Sequence, residues 1–470
     1  MVLGIIIILL VVGSVLFHFL SPWYFTPIAS NWSMIDTTVD ITFWVTGIVF
    51  VLTNLFMAYA IIRYRHKKGS GQKAAYDPEN KKLEYWLTGI TAIGVIAMLA
   101  PGLFVWAAFV TVPDNAMQIE VVAQQWHWSY RYPGKDGLFG AVDPKLIAPD
   151  NPFGVDPRDA NGQDDVLVSS PQMHVPLDQP VKTILRSKDV LHDFAVPQFR
   201  VKMDIVPGTV TYLWFTATRL GEFEILCEEL CGLAHHTMRG KVVVDEPEDF
   251  DNWLAGQPTF AEINALASGD PVLGQAQYAT CAACHGFEGE GLPLLNAPKL
   301  AGMDPWYLKR QIQNYKTGAR GRDPADVYGM QMAAMANTLV NDAAVANVAA
   351  YLLTLPDNVS APTVEGDVAN GKRLYRTCGN CHGKDGEGIW SLNAPRTQGM
   401  DDWYVVAQLK NFRDGIRGAH PSDYYGAQMR MMAEILTSDD YINDLAAYIN
   451  TLPAPEQQSA RVNNPDREKF

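Results

Sequence analysis

The first 35 residues contain no aspartate, glutamate, lysine or arginine. With no charge to interrupt it, the run from Met1 to Leu20 is long enough for a marginal membrane span. It also lacks the basic flank of a secretory signal, and no clean small-x-small cleavage site precedes Ser21. We therefore expect a retained helix rather than a removed leader. Positive charge is in deficit across the chain, with 37 Lys and Arg against 51 Asp and Glu and a formal net charge of −14. That deficit argues against a nucleic-acid partner and permits docking of a basic protein. Cysteine is scarce too, at six in 470 residues. Spacing alone allows three disulfides, but all six cysteines lie beside His or Met, a company that a disulfide framework does not need.

Two further apolar runs of spanning length are present, Ile41 to Ile62 and Leu87 to Val112. The second contains Pro101, which a membrane helix tolerates. Between them lie Arg63-Tyr64-Arg65-His66-Lys67-Lys68, then Lys73, Lys81 and Lys82. Such charge marks a cytoplasmic loop, which places everything after Val112 on the periplasmic side. His18 is read as a packed or helix-end residue. A chain of this length should hold three or four domains.

From Met117 to Asp245 the texture turns to short strand-like runs: 118–123, 181–186, 210–216, 222–226 and 240–244. Tyr132-Pro133-Gly134 and Val206-Pro207-Gly208 are turn signals between them. The pattern predicts a small β-sandwich or barrel, with Pro133 to Asp165 as a surface insertion and His192 on a connecting loop. Sulfur and imidazole concentrate in Cys227-Glu228-Glu229-Leu230-Cys231-Gly232-Leu233-Ala234-His235-His236-Thr237-Met238. Soft sulfur ligands with imidazole suit copper rather than magnesium or calcium. Two cysteines four residues apart can set both sulfurs between two metal ions, each ion then collecting its own histidine. His236 is read as a surface neighbour of His235, and His174 as structural.

Gln125-Trp126-His127-Trp128-Ser129-Tyr130, His192-Asp193-Phe194-Ala195-Val196-Pro197 and the Cys227 to Met238 loop closely resemble cytochrome c oxidase subunit II. The family's two membrane helices and cupredoxin-like β-barrel match residues 37 to 245. The resemblance implies a dinuclear copper centre (CuA) bridged by Cys227 and Cys231. His192 and His235 would bind one copper each, with Met238 and the backbone carbonyl of Glu229 as weak outer ligands. It further implies a magnesium facing the Glu229 carboxylate at the boundary with subunit I, and electron input from cytochrome c beside Trp126. His127 departs from the family, which usually has an aromatic residue there. Bridging thiolates spread one electron over both coppers, and a stiff barrel lets little move when it arrives or leaves.

Past Asp245 the chain turns helical and repeats. Cys281-Ala282-Ala283-Cys284-His285 recurs as Cys378-Gly379-Asn380-Cys381-His382, and Asn296-Ala297-Pro298, Gly302-Met303-Asp304 and Trp306-Tyr307 recur at the same offset of 97 residues. One unit has been duplicated with no gap between these landmarks. C-x-x-C-H is the signature of covalent c-type haem attachment, with the His as proximal iron ligand. Both units resemble class I cytochrome c. The distal ligand is expected to be methionine, because Met/His ligation raises the potential. Two pairs repeat, Met332 with Met429 and Met335 with Met432. In the cytochrome family the axial Met commonly stands about seven residues before the Asp that opens the last helix. That spacing selects Met335 before Asp342 and Met432 before Asp439, leaving Met332 and Met429 as packing at the haem edge.

The expected architecture is a multidomain membrane protein with two or three N-terminal transmembrane helices. It comprises an N-terminal hydrophobic segment (1–35), a transmembrane hairpin (36–113), a cupredoxin-like β-barrel carrying dinuclear copper (114–250), two all-α cytochrome c domains (265–357 and 362–454) and a disordered polar tail (455–470). The linker from Leu355 to Gly366 should allow limited reorientation, and chain order favours the Cys281 unit as the neighbour of copper. The resemblance implies the electron-accepting subunit of a terminal oxidase in the bacterial inner membrane. Electrons would come from cytochrome c or a quinol-oxidising complex, and pass by two haems and copper to subunit I. Oxygen would be reduced to water there with proton translocation, and subunit III is a further expected partner. Two alternatives stay open: the copper subunit of a haem–copper nitric oxide reductase, and a membrane-anchored electron carrier. Ten histidines are too few for the histidine-rich domain of a nitrous oxide reductase.

Overall fold

The computed structural model describes residues 1–21, 26–66, 69, 79–267 and 269–453. Lys67, Lys68 and Lys73 of the basic loop and the polar tail lie outside them. Three helices come first, α1 (Val2–Leu20), α2 (Ser33–Arg63) and α3 (Lys81–Val110), all long and apolar enough to cross a membrane. Their large apolar side chains point outward, and a helix satisfies its own backbone in lipid. α1 runs antiparallel to α2: Gly4 lies where a Cβ would stand 2.7 Å from Ile62, and His18 packs beside Phe43.

Ten strands follow: β1 (Met117–Gln124), β2 (His127–Tyr132), β3 (Val166–Val168), β4 (Gln172–Pro176), β5 (Pro180–Ser187), β6 (His192–Val196), β7 (Val201–Ile205), β8 (Thr211–Thr216), β9 (Gly221–Leu226) and β10 (Arg239–Asp245). They form two five-stranded sheets, ordered β3-β2-β1-β5-β8 and β4-β10-β9-β6-β7. Both line one core that includes Ile119, Trp128, Tyr130, Phe194, Phe215 and Ile225. β9 shows the period of two: Phe223 and Ile225 face in, Glu222 and Glu224 face out. β2 shows no such alternation. It is buried throughout, and its Arg131 pairs with Glu120 at 2.6 Å and Asp165 at 3.0 Å. The expectation that His192 lies on a loop is corrected, because that residue opens β6. The insertion also differs from a bare surface loop, since Phe153 and Val155 build a small core with Leu167 and Phe260.

The β-domain is bolted to its anchors. Trp32, 1% exposed, donates its Nε1–H to Trp214 O at 3.0 Å, and Trp214 Nε1 donates to Ala108 O at 3.2 Å. Arg200 clasps Asp36 in the first turn of α2 with contacts of 2.6 and 2.9 Å. Two short helices, α4 (Pro247–Ala255) and α5 (Phe260–Ala267), fold back on the sheets. Trp253 of α4 stacks on His174 at 4.0 Å while His174 Nδ1 meets Asp245 at 2.6 Å, which gives His174 a structural role.

The remainder is two copies of a four-helix unit. The first has α6 (Pro271–His285), α7 (Pro305–Thr317), α8 (Val327–Ala336) and α9 (Asp342–Leu353); the second has α10 (Val368–His382), α11 (Asp402–Arg413), α12 (Tyr424–Ala433) and α13 (Asp439–Ile449). The opening and closing helices of each unit cross where only glycine fits. A Cβ on Gly274 would meet Asn347 O at 2.0 Å, and one on Gly371 would meet Asp444 O at 2.0 Å.

The linker between the units is pinned rather than loose. Asp357 receives Lys299 of the first unit at 2.7 Å and a two-pronged Arg396 of the second at 2.5 and 2.9 Å. Thr363 and Val364 donate their N–H groups to Asp402 at 2.6 and 2.8 Å. Burial opposes ionisation of Asp357, but Arg396 and Lys299 outweigh it and hold its pKa below the ordinary carboxylate value. A carboxyl depressed by folding contributes stability above its unfolded pKa and loses it as pH falls through the folded value. The paired units should therefore begin to loosen as pH drops below about 4. Asp357→Ala strands two buried cations and should cost about 3–5 kcal/mol, read as a lower midpoint in thermal melts of the haem-region circular dichroism of the full chain.

Candidate copper and haem centres

The loop from β9 to β10 carries Cys227, Cys231, His235 and Met238, and β6 brings in His192 because Ala195 pairs with Leu226. The two Sγ atoms lie 3.7 Å apart, well beyond a disulfide length of about 2.05 Å. His192 Nδ1 stands 3.8 Å from Cys227 Sγ, and His235 Nδ1 stands 3.5 Å from Cys231 Sγ. Met238 Sδ is 3.8 Å from Cys231 Sγ, and the Glu229 carbonyl is 3.3 Å from Cys227 Sγ. The six expected copper ligands are thus gathered in one place. Among the described residues, His192, Cys227 and Cys231 form a buried metal-capable cluster, and none forms around the Glu229 carboxylate. The hydrogen bond between the two thiols lowers the Cys227 pKa against the effect of burial and raises that of Cys231, so the pair shares its proton unequally. His236 is exposed, as expected.

Two residues that sequence reasoning passed over hold this cage. Asp189 Oδ1 meets His192 Nε2 at 2.8 Å and so turns Nδ1 toward the sulfurs, the usual service of an outer carboxylate to a ligating histidine. Gln125 donates its N–H to Asp189 Oδ2 at 2.6 Å and its Nε2–H to Cys231 O at 2.7 Å. An acid three residues before a ligand histidine was the available signal. Gly232, at φ 122°, lets the loop close on Trp126, whose Cζ2 a Cβ would meet at 3.2 Å. Trp126 therefore lies against the copper loop, while Trp128 is core.

Each C-x-x-C-H motif ends a helix, so its two thiols and imidazole share one face. His285 Nδ1 bonds to Pro298 O at 2.7 Å, and His382 Nδ1 bonds to Pro395 O at 2.7 Å. Both bonds leave Nε2 free, and burial keeps both rings below the ordinary histidine pKa despite that bond. His285 opens on a cavity of about 590 Å³ and His382 on one of about 130 Å³. Arg320 lines the first cavity and Arg417 the second. The Nε of each is buried without a partner. In the first unit an apolar slot lined by an imidazole, two thiols and a buried guanidinium with an unpaired Nε fits a covalently attached macrocycle with acidic side arms. The expected thioether and proximal-ligand residues thus come together in both units.

Cytochrome c oxidase subunit II, periplasmic domain, matches residues 117–246, and the cytochrome c family matches 271–356 and 368–453. The alternative cytochrome c oxidase subunit 2 of Bradyrhizobium diazoefficiens is 54% identical over 264 residues, covering 56% of this chain and 95% of that protein. The chain belongs to the cytochrome c oxidase subunit II family. Among solved structures, the periplasmic domain of subunit II of cytochrome oxidase from Bradyrhizobium japonicum is 31% identical, covering 31% of this chain and 95% of that one with a TM-score of 0.22. Reduced cytochrome c4 from Pseudomonas stutzeri is also 31% identical, covering 40% and 100% with a TM-score of 0.33. This subunit II therefore carries a copper domain and two haem c domains.

The two cytochrome domains meet about a pseudo-twofold axis. Arg320 donates to Tyr404 OH at 3.0 Å and Gln408 Oε1 at 2.8 Å, while Arg417 donates to Tyr307 OH at 3.0 Å and Gln311 Oε1 at 2.8 Å. Those four partners line both cavities. The copper domain receives the second cytochrome domain, which corrects the expectation from chain order. His127 packs on Tyr424 and Tyr425 at 5.5 and 5.2 Å. Lys188 Nζ bridges Gln124 Oε1 at 2.9 Å and Ser391 O at 3.4 Å. Burial, with the Asp189 carboxylate adding to it, raises the Cys381 thiol above its ordinary value, so the second haem motif lies within reach of the charge that orients a copper ligand.

The methionine pairs differ in placement. Met332 and Met335 both line the first cavity. In the second, Met429 lines the wall and Met432 does not. A duplicated unit should use one position in both copies, and only Met332 and Met429 meet that condition. We infer that this pair, rather than Met335 and Met432, faces the haem irons. Met429→Ala should then abolish the far-red sulfur-to-iron band of one haem, and Met432→Ala should leave both bands intact. The reverse result would restore the sequence-based choice.

Proposed function

We propose that this subunit II takes electrons from a cytochrome c or a quinol-oxidising complex and delivers them to subunit I of a terminal oxidase. Oxygen would be reduced to water on that subunit with proton translocation, in a bacterial inner membrane and with subunit III as a further partner. The observation that supports this reading is the seating of a haem-binding domain, through His127 and Lys188, directly beside the copper loop. When bound, two haems and a dinuclear copper centre supply one-electron redox chemistry.

The residues of this chain do the positioning. Cys227 and Cys231 would bridge the coppers, with His192 and His235 on one each and Met238 and the Glu229 carbonyl outside. Asp189 holds His192 in its ligating orientation, and the sandwich fixes the loop against Trp126. Cys281, Cys284 and His285, then Cys378, Cys381 and His382, would hold the haems, with buried Arg320 and Arg417 facing their acidic arms. Trp32, Trp214 and Arg200 keep the copper loop at a set height over the membrane helices. The Glu229 carboxylate, half-buried on the loop, is free to share a magnesium with subunit I.

Two measurements test this. The purified complex with reduced cytochrome c should consume oxygen, and turnover of nitric oxide without oxygen would overturn the oxidase reading. Cys227→Ser should remove the mixed-valence copper EPR signal while both c haems remain in the spectrum. An unchanged signal would overturn the ligand assignment.

A further inference from the structure

The two cytochrome domains share one fold at a constant offset of 97 residues, so their surfaces can be compared position by position. In the second domain, Ser391, Leu392, Tyr424 and Tyr425 form the face that meets the copper domain. Ser391 O accepts from Lys188 and Leu392 O from Gln124, and both tyrosine rings pack on His127. Their counterparts in the first domain are Leu294, Leu295, Val327 and Tyr328. All four are exposed, Leu294 at 98%. Leu295, Val327 and Tyr328 line the first haem cavity along with Cys284.

The composition of the face changes as well: Leu294 of the first domain stands where the second has Ser391. Elsewhere on the first domain Phe287 and Val340 are 82% and 84% exposed, where the second has Lys384 and Thr437. Large apolar groups clustered in water mark a surface that another protein covers. Residues 271–356 carry six acidic and six basic side chains. The first domain is thus neutral on a chain of net charge −14, and apolar contact rather than charge steering suits this face.

We propose that this face of the first cytochrome domain is the docking site for a soluble c-type cytochrome. The occupant follows from the repeat: the equivalent face of the second domain is already seated on a redox domain beside its metal loop. The first copy of that face is left open for a redox protein that presents an apolar rim around its own haem. The second domain has given up its donor face to the copper domain, and the first retains it. The proposal rests on the reading of the chain as an oxidase subunit.

The test uses the intact oxidase complex and a purified monohaem class I cytochrome c as probe. Leu294→Glu and Leu294→Lys alter an exposed side chain that touches neither haem ligands nor the domain interface. Each should raise the Kd in surface plasmon resonance at least about tenfold, a loss of about 1.4 kcal/mol. Each should slow stopped-flow reduction by the cytochrome in proportion, while reduction by a small artificial reductant stays unchanged. Cytochrome binding that matches the wild type in both variants would overturn the proposal. So would loss of self-association of the complex in sedimentation with cytochrome binding intact, because the face would then pair two copies of the chain. Oxygen uptake driven by the small reductant separates the two levels. If it persists while docking is unaffected, only the docking site fails; if the wild type shows none, the oxidase reading fails.

Discussion

Asp189 sits between three segments that are far apart in the chain. Its Oδ1 meets His192 Nε2 at 2.8 Å, and its Oδ2 receives the Gln125 N–H at 2.6 Å. Gln125 in turn holds Cys231 through its carbonyl. One carboxylate thus ties the ligand strand, the aromatic turn and the sulfur loop into a unit, and its neighbour Lys188 extends that unit to the second cytochrome domain. A metal cage that must accept and release electrons quickly needs its ligands fixed before the metal arrives. Hydrogen bonds from a two-sheet scaffold supply that fixity, which two thiols on an unsupported loop would lack.

Duplication has produced two domains with the same interior and different exteriors. Inside, both copies keep the same glycine crossing, the same histidine-to-proline-carbonyl bond and the same buried arginine with its tyrosine and glutamine partners. Outside, the second copy has Ser391, Lys384 and Thr437 where the first has Leu294, Phe287 and Val340, and it rests on the copper domain. Packing constrains interior positions far more than surface ones, so the two copies are free to differ on the outside. Tyr424 and Tyr425 also explain His127. A buried imidazole pushed down to about 3 by burial, Lys188 and Arg310 is neutral, and it lies flat enough to accept a tyrosine face at 27°. Its departure from the family's usual aromatic falls where this chain's own domain sits.

Covalent chemistry was the most legible part of the sequence. Both C-x-x-C-H motifs and a copper loop with two thiols follow from residue type and spacing, because metals and haem demand specific atoms at short range. The full set of six copper ligands came instead from the resemblance to the oxidase family. The three apolar helices and five of the strands were equally readable from hydropathy and alternation. β2 was hidden because all six of its residues are buried, including an arginine neutralised by Glu120 and Asp165. β6 was hidden because its His192 reads first as a ligand and only then as a strand residue. The order of the cytochrome domains was not legible at all. Sequence proximity placed the first domain beside copper, but α4 and α5 fold back on the sheets and the pinned linker turns the second domain inward. The linker, short and polar, was expected to allow limited reorientation, and only the convergence of Lys299 and Arg396 on Asp357 shows why it is pinned.

Among the described residues, the contact between copper domain and second cytochrome domain is built without an ion pair. Burial pulls the Lys188 amine down to about 7, and its partners are the Gln124 side chain and a backbone carbonyl. Ion pairs between surfaces weaken as salt rises, since exposed charges are screened beyond about 8 Å at physiological ionic strength. Ring stacking on His127 and hydrogen bonds to backbone oxygens are not screened in this way. They also demand a defined geometry, because a carbonyl accepts only from a donor near its lone pairs. The second domain is therefore held by contacts that salt does little to weaken, as a permanent link requires. A mobile partner needs the opposite: a face that releases it after each exchange. The neutral first domain instead presents Leu294, Leu295, Val327 and Tyr328 as an exposed apolar face, a surface suited to that release.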